Sequence, residues 1–509
     1  MPEIKFGTDG WRAVIADEFT FDNVSAVTRA IARYLAEQKK EVDGVVVGFD
    51  NRFLSEEFAA LASAVLLEEK IKVYLCHRPT PTPAVAFAVK HYRAAGAIMF
   101  TASHNPSRYH GIKFIPHYAG PALPAETDRI GELVRIALQE REPEKEGAKE
   151  RYLFILQKML EDEIKTGSSP APSGPALHAG EAGKSEELPE ELLVIVHPRE
   201  PYLEHLKQVI DLNAIKAAPP HVVIDPMFGA AIGYLDSFLL PLGCRVEIIR
   251  GCRDPLFGGG LPDPSRHNLE KLRTLVLELE AEAGLALDGD GDRLGVIAPD
   301  GKYLGANDIL LLLLEHLVES RGWSGVVART VATTHNLDRL ARFYGLTTLE
   351  TPVGFKYIGQ AIREQDAFLG GEESGGISIR GHIPEKDGIL AALLFIEMLA
   401  ASRSDPAELF RKISTKINIL NFNRWDIHTS SARKKEILEK LPAWHPQEIA
   451  GLKVKKISRV DGVKVLLEDE SWCLIRSSGT EDLFRLYVEA LDEGMLEEIR
   501  HGIRWELGL

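Results

Sequence analysis

The sequence is poor in cysteine, has no excess of basic residues and contains no long apolar run, and each shortage removes a class of protein. Only four cysteines occur, Cys76, Cys244, Cys252 and Cys473, with no C-x-x-C pair among them. A disulfide framework and a thiolate zinc site are set aside, and the thiols are expected to be buried and inert. The formal net charge is −15, the wrong sign for displacing counterions from nucleic acid, so no nucleic-acid partner is expected. The richest apolar stretch, Ile309 to Leu314, is bounded by Asp308 and Glu315. It is far too short for a membrane span, so it reads as a core helix and no membrane partner is expected. Met1 to Lys5 lacks a basic segment leading into an apolar one, which makes the cytoplasm the expected location.

What is present is ordinary globular chemistry on a chain too long for one core. Hydrophobic residues make up 45% and charged residues 27% of 509 positions, which predicts several folded domains. Apolar, often β-branched runs alternate with helical stretches, the pattern of α/β units with parallel strands. Val45 to Phe49 predicts a buried strand, and Val24, Val27, Ile31 and Leu35 predict a helix over 21–37 with Asp22 as its cap. Ala97 to Phe100 predicts a second strand running directly into Thr101-Ala102-Ser103-His104-Asn105-Pro106. Ligands bind where strands of such sheets end. The segment 165–191 is rich in Gly, Pro, Ser, Ala and Glu and predicts a disordered insert. Within it Gly183-Lys184-Ser185 imitates a nucleotide phosphate loop, but His178 stands where glycine is required and no strand precedes it.

Three further loops carry chemistry. Asp288-Gly289-Asp290-Gly291-Asp292-Arg293 lies between two apolar runs and sets three carboxylates at alternate positions, hard oxygen ligands suited to magnesium or calcium. A calcium-binding helical hand is excluded, since Arg293 occupies the turn-glycine position and Pro299 the bidentate-glutamate position. A plain hairpin turn with solvated carboxylates is the alternative. Gly371-Glu372-Glu373-Ser374-Gly375-Gly376 puts carboxylates and a hydroxyl on a glycine-rich loop, suitable hardware for sugar hydroxyls, with Lys386 as a nearby charge. Arg476-Ser477-Ser478-Gly479-Thr480-Glu481, between apolar runs, has the make-up of an anion cradle, with a capped hairpin tip as the bland reading.

Together with Phe6-Gly7-Thr8-Asp9-Gly10-Trp11-Arg12, these loops occur in the order found in the α-D-phosphohexomutase family, and the resemblance spans nearly the whole chain. It implies an α/β architecture: three similar α/β domains plus a smaller C-terminal α+β domain around a central active-site cleft. The implied divisions are 1–150 with the serine loop, 192–303 with the metal loop, 304–416 with the sugar loop and 417–509 with the phosphate loop. By the same resemblance Ser103 is the phosphorylated serine, and Asp288, Asp290 and Asp292 hold magnesium together with an oxygen on Ser103. Glu372 and Ser374 resemble the sugar-hydroxyl contacts, and Arg476, Ser478, Gly479 and Thr480 the clamp on the non-reacting phosphate, supported by Arg485. Arg12, His104, Lys113 and Arg293 match positions near the transferring phosphoryl, with Lys113 as candidate general acid/base.

The implied activity is interconversion of hexose 1-phosphate and hexose 6-phosphate through a phosphoserine enzyme. A hexose 1,6-bisphosphate is then both intermediate and activator. The Gly371 to Gly376 loop, Glu385 to Gly388 and Thr351 to Tyr357 look more like glucose-type phosphoglucomutases, because the dual-specificity and glucosamine branches usually end the sugar loop with histidine. The alternatives are a phosphomannomutase or dual-specificity mutase, a glucose-1,6-bisphosphate synthase, a non-catalytic sugar-phosphate sensor, and a phosphatase in which water intercepts the phosphoserine.

Overall fold

Val24, Val27, Ile31 and Leu35 recur at helical spacing and form the buried face of the α-helix Phe21–Glu37 in the computed structural model. Its cap is Thr20, whose side chain accepts from the Asn23 N–H. The expected cap, Asp22, lies inside the first turn, where its charge meets the positive end of the helix dipole. The structure describes residues 4–7, 10–40, 43–140, 148–165, 190–478 and 482–509. The expected insert, apart from its ends, lies outside the described residues.

The chain divides into two units, Met1–Gly305 with Gly375–Arg403, and Ala306–Ser374 with Ser404–Leu509. In the first unit Val45–Phe49 is the centre of a six-stranded sheet, fully buried and parallel to both Val73–Cys76 and Gly96–Phe100. Gly96–Phe100 then turns back as Tyr109–Pro116, which pairs with it antiparallel. The strand Leu193–Val196, expected at the start of the second domain, pairs in parallel with Val73–Cys76 and completes this first sheet. A second sheet repeats the plan, with His221–Asp225 parallel to Arg245–Ile248 and Ala283–Leu287, and Ala283–Leu287 returning antiparallel as Leu294–Ile297. These returning strands run antiparallel because their connections are too short for a crossover helix.

In the second unit Val326–Thr330 lies parallel to Thr347–Thr351 and Ala367–Gly371. The Ser103, Asp288 and Glu372 loops therefore all leave the third strand of the same motif. Ile309 to Leu314 is buried within the helix Ala306–Glu319, as its composition predicts. The C-terminal part is an antiparallel sheet including Asn421–His428, Leu483–Ala490, Trp472–Ser477 and Val463–Leu467. Ile475, Phe484, Leu486 and Val488 form its core with Ile499 and Ile503 of the helix Glu493–Leu507.

Cys76, Cys244 and Cys473 are buried, whereas Cys252 is exposed in the bend after Arg245–Ile248, so the expectation of four buried thiols fails there. Among the described residues no helix is long and apolar enough to cross a membrane.

Candidate active site

Ser103 follows a fully buried strand and takes a left-handed backbone, with φ of 50°. For a residue with a Cβ this costs about 1–2 kcal/mol, so the surroundings must impose it. They do so from below and above. The Ser103 N–H donates to Thr101 Oγ1 at 2.8 Å, and its carbonyl accepts from Arg52 Nη2 at 2.6 Å. The Arg52 guanidinium, wholly buried, also donates to the carbonyls of Asn105 at 2.7 Å, Pro106 at 2.9 Å and Tyr109 at 3.0 Å. Gly289 presses on the same carbonyl, which lies 2.7 Å from where a Cβ would stand. The Ser103 hydroxyl donates to Asp288 Oδ2 at 2.8 Å, with His104 Nδ1 3.4 Å away. Arg12 reaches the loop by donating to Asn105 Oδ1 at 2.8 Å.

Asp288, Asp290 and Asp292 lie on the loop between Ala283–Leu287 and Leu294–Ile297, so the hairpin geometry is present; the solvated carboxylates of the plain-turn alternative are not. All three are 0% exposed, and one oxygen from each lies within 4.8 Å of the others. Asp288 Oδ1 accepts from the N–H groups of Asp292 and Arg293 at 2.9 and 3.1 Å. Asp290 Oδ2 accepts from Thr82 Oγ1 at 2.6 Å and Lys113 Nζ at 2.7 Å, while Lys113 also reaches Asp292 Oδ2 at 2.9 Å. Lys386 Nζ stands 3.3 Å from Asp292 Oδ2, and Arg293 Nε lies 4.0 Å from Asp288 and 3.9 Å from Asp292. Lys386 thus meets the aspartates within the first unit. Asp290 Oδ1 and Asp292 Oδ1 are buried without any hydrogen-bond partner, a costly state for a carboxylate and the signature of a place for a cation.

The charges sort themselves accordingly. Burial, then the neighbouring Asp292 and Asp290, raises the Asp288 carboxyl well above its usual range. Asp290 and Asp292 are held low despite burial, chiefly through Lys113. Lys113 is raised despite its own burial, by Asp290 and Asp292. It supplies charge readily, but to serve as a base it must shed a proton against two carboxylates. Arg293, followed by burial and Arg12, drives His104 well below the ordinary imidazole value.

The remaining predicted residues belong to the second unit. Glu372 is buried, and its Oε1 accepts from the Gly354 N–H at 2.9 Å; Ser374 follows on the same loop, half-buried. Arg476 and Arg485 are directly paired across adjacent strands, and Asp426 opposes Arg485 on the other side. With Ile475, Phe484 and Leu486 facing the core, alternation sends both arginines to the opposite face. Arg476 Nε donates to Asp461 Oδ1 at 2.9 Å. The Ser478 N–H donates to the Leu483 carbonyl at 3.0 Å, and Lys434 Nζ to the Ser478 carbonyl at 2.8 Å. Gly479 and Thr480 lie outside the described residues.

Four residues of these surroundings escape the sequence reading: Arg52, Thr82, Arg424 and Asp461. Arg52 had a signal, since Asp50-Asn51-Arg52 follows a buried strand at its ligand-binding end. Arg424 faces Tyr487 across the sheet and donates to both carboxylate oxygens of Asp426, at 3.0 and 2.9 Å, with no motif to mark it.

Sequence models of four domains match the chain in order. Their descriptions are phosphoglucomutase/phosphomannomutase alpha/beta/alpha domain I over residues 3–140, domain II over 200–301, domain III over 306–417 and the C-terminal domain over 433–504. A phosphoglucomutase/phosphomannomutase of Thermococcus kodakarensis is 29% identical over 496 residues, covering 97% of this chain and 96% of the relative. A phosphoglucosamine/phosphogalactosamine mutase of Sulfurisphaera tokodaii is 27% identical, covering 97% of each. The crystal structure of a Thermus thermophilus protein assigned to the phosphomannomutases superposes with a TM-score of 0.79 at 33% identity, covering 100% of both chains.

Proposed function

Because the chain belongs to the phosphoglucomutase/phosphomannomutase family, we propose that it interconverts hexose 1-phosphate and hexose 6-phosphate, preferring α-D-glucose phosphate, with Ser103 as phosphoryl carrier. One placement carries the reading. The Ser103 hydroxyl, on a strained backbone, is hydrogen-bonded to one of three fully buried aspartates that lie among cations. Phosphoryl transfer asks for charge compensation and alignment more than for covalent novelty, and this loop offers both.

The donor set fits magnesium, being three hard carboxylates with two oxygens unpartnered. Asp288, Asp290, Asp292 and an oxygen on Ser103 would hold the ion, which when bound offsets charge on the carboxylates and on a transferring phosphoryl group.

In the first transfer a sugar hydroxyl oxygen bonds to phosphorus as the Ser103 Oγ–P bond breaks. The sugar hydroxyl gives up its proton and Ser103 Oγ regains one, leaving a hexose 1,6-bisphosphate. Once the sugar has reversed, the opposite transfer returns its other phosphoryl group to Ser103. The same bisphosphate phosphorylates a bare serine, which makes it an activator. Arg12, His104, Lys113, Lys386 and Arg293 supply charge and hydrogen bonds around Ser103. Glu372 and Ser374 grip sugar hydroxyls, and Arg476, Ser478, Gly479, Thr480 and Arg485 hold the phosphate that is not reacting.

A coupled assay with magnesium and catalytic bisphosphate, run on glucose, mannose and glucosamine phosphates side by side, tests the reading. Turnover is expected to be fastest with glucose 1-phosphate and absent in a folded Ser103→Ala variant. Fastest turnover of glucosamine phosphate moves the preference to the hexosamines in the relatives' names. Steady release of inorganic phosphate indicates a phosphatase, net build-up of bisphosphate a synthase, and binding without turnover a sensor. Near-normal rates in Ser103→Ala would sink the carrier assignment.

A further inference from the structure

The turn Asp461-Gly462 lies against the strand Trp472–Ser477, and its glycine has no substitute. Gly462 has φ of 85°, and a Cβ there would run into the Ile475 carbonyl and meet Arg476 Cγ at 2.7 Å. This close approach sets the Asp461 carboxylate beside the Arg476 guanidinium, with Oδ1 accepting from Nε at 2.9 Å. Its other oxygen, Oδ2, accepts the Val353 N–H at 3.0 Å. The next N–H along, that of Gly354, is taken by Glu372 Oε1 at 2.9 Å. Two neighbouring peptide groups at the start of the helix Phe355–Glu364 are thus bound by two carboxylates. One belongs to the sugar loop, and the other is paired with the arginine of the phosphate loop.

We propose that Asp461 is a positioning residue that fixes the Arg476 guanidinium relative to the Glu372 sugar loop, so that the grips on sugar and phosphate are set as one. The inference rests on the mutase reading. An arginine with two free torsions near its head loses entropy whenever it binds phosphate, and a carboxylate holding Nε removes that cost beforehand while leaving the Nη groups to the ligand. Because the same carboxylate is tied to the peptide before Gly354, a shift of the Glu372 loop is carried to Arg476.

The plain alternative is that Asp461 only caps the helix at 355–364. Asp461→Asn separates the two, because the amide oxygen still accepts the Val353 N–H while the ion pair with Arg476 is lost. The measurements are KM and kcat with glucose 1-phosphate, thermal stability, and equilibrium binding of glucose 6-phosphate, on the full chain. Expected for Asp461→Asn are a KM about tenfold higher, equal to about 1.4 kcal/mol of binding, weaker glucose 6-phosphate binding by the same factor and a nearly unchanged melting temperature. In an Arg476→Ala background, Asp461→Asn is expected to weaken binding no further, as holds when one residue acts through the other. KM and binding within twofold of wild type, or an equal loss in both backgrounds, overturn the proposal. Failure of the wild-type chain to bind or turn over any hexose phosphate overturns instead the mutase reading beneath it.

Discussion

His110 shows how strictly the first sheet fixes a protonation state. The ring is wholly buried between Phe19 and Phe58, with centroids 4.8 and 5.2 Å away. Nδ1 accepts the Gly111 N–H at 2.9 Å, so Nε2 carries the hydrogen and donates to Ser55 Oγ at 2.9 Å, which donates in turn to Asp50 Oδ1 at 3.0 Å. Burial, then the Arg52 cation, lowers His110 from 6.5 to about 3. A folded value below the unfolded one gives stability that is complete above pH 6.5 and lost as pH falls toward 3. In His110→Phe the stacking survives but this proton linkage is removed. Between pH 6 and 4 the wild type is expected to lose stability more steeply, by up to about 1.4 kcal/mol per pH unit. At pH 7 the variant is expected to be about 1–3 kcal/mol less stable, for want of the ring's hydrogen bonds. Chemical denaturation across that pH range measures both; parallel slopes would mean that His110 titrates normally in the folded chain. The three aspartates stood out in the sequence because alternate carboxylates by themselves suggest a cation, whereas Ser103, one hydroxyl in a loop after a strand, stood out only through the family resemblance. Arg52, His110 and Asp461 did not, since what each does depends on carbonyls, rings or peptide groups many residues distant, which no local spacing records.

Among the elements, the recurring unit is a central strand with a parallel neighbour on each side, the third strand ending in a loop that carries candidate site residues. The strands at 45–49 and 97–100 and the helix at 21–37 could be read from apolar spacing. Their arrangement into three similar sheets could not, because backbone pairing leaves little trace when each copy fills its core with different apolar residues. What does leave a trace is glycine at close approaches. Gly111 sits opposite Arg12 in the pairing of Tyr109–Pro116 with Trp11–Val14. A Cβ there would stand 2.5 Å from the Thr101 carbonyl and 2.8 Å from that of Trp11, both backbone atoms that cannot swing aside. Gly111→Ala must therefore part the strands just where one presents Arg12 and where Thr101 steadies the Ser103 N–H. Overpacking of this kind costs about 1–3 kcal/mol. The melting temperature is expected to fall, and kcat to fall further than stability alone explains, measured well below the transition where the variant is fully folded. Wild-type kcat in a folded Gly111→Ala would show that the serine loop does not depend on this contact.

For the whole molecule the decisive asymmetry is charge. The chain carries −15 overall, so any divalent cation gathers weakly around it, an attraction screened beyond about 8 Å at physiological salt. A specific magnesium effect must be separated from that atmosphere, and the fold supplies the means. Asp288, Asp290 and Asp292 all lie in the unit 1–305 with 375–403, and none of the three is exposed. An ion that binds only the folded site raises stability by RT ln(1 + [L]/Kd), about 2.7 kcal/mol at a hundred times Kd. Calorimetry at constant ionic strength is expected to show magnesium raising the unfolding temperature of the transition that includes this unit, and a chelator reversing it. In Asp290→Asn the rise should vanish, because that carboxylate holds one of the two unpartnered oxygens, while the response to sodium stays as in the wild type. An undiminished magnesium shift in Asp290→Asn would assign the effect to surface charge and leave Lys113, Lys386 and Arg293 to compensate the cluster. The variant is informative in either case, since losing one carboxylate from a nest of three relieves repulsion in the ion-free protein. Asp290→Asn need not be less stable than the wild type without magnesium, and the lost response to the ion is the quantity that decides.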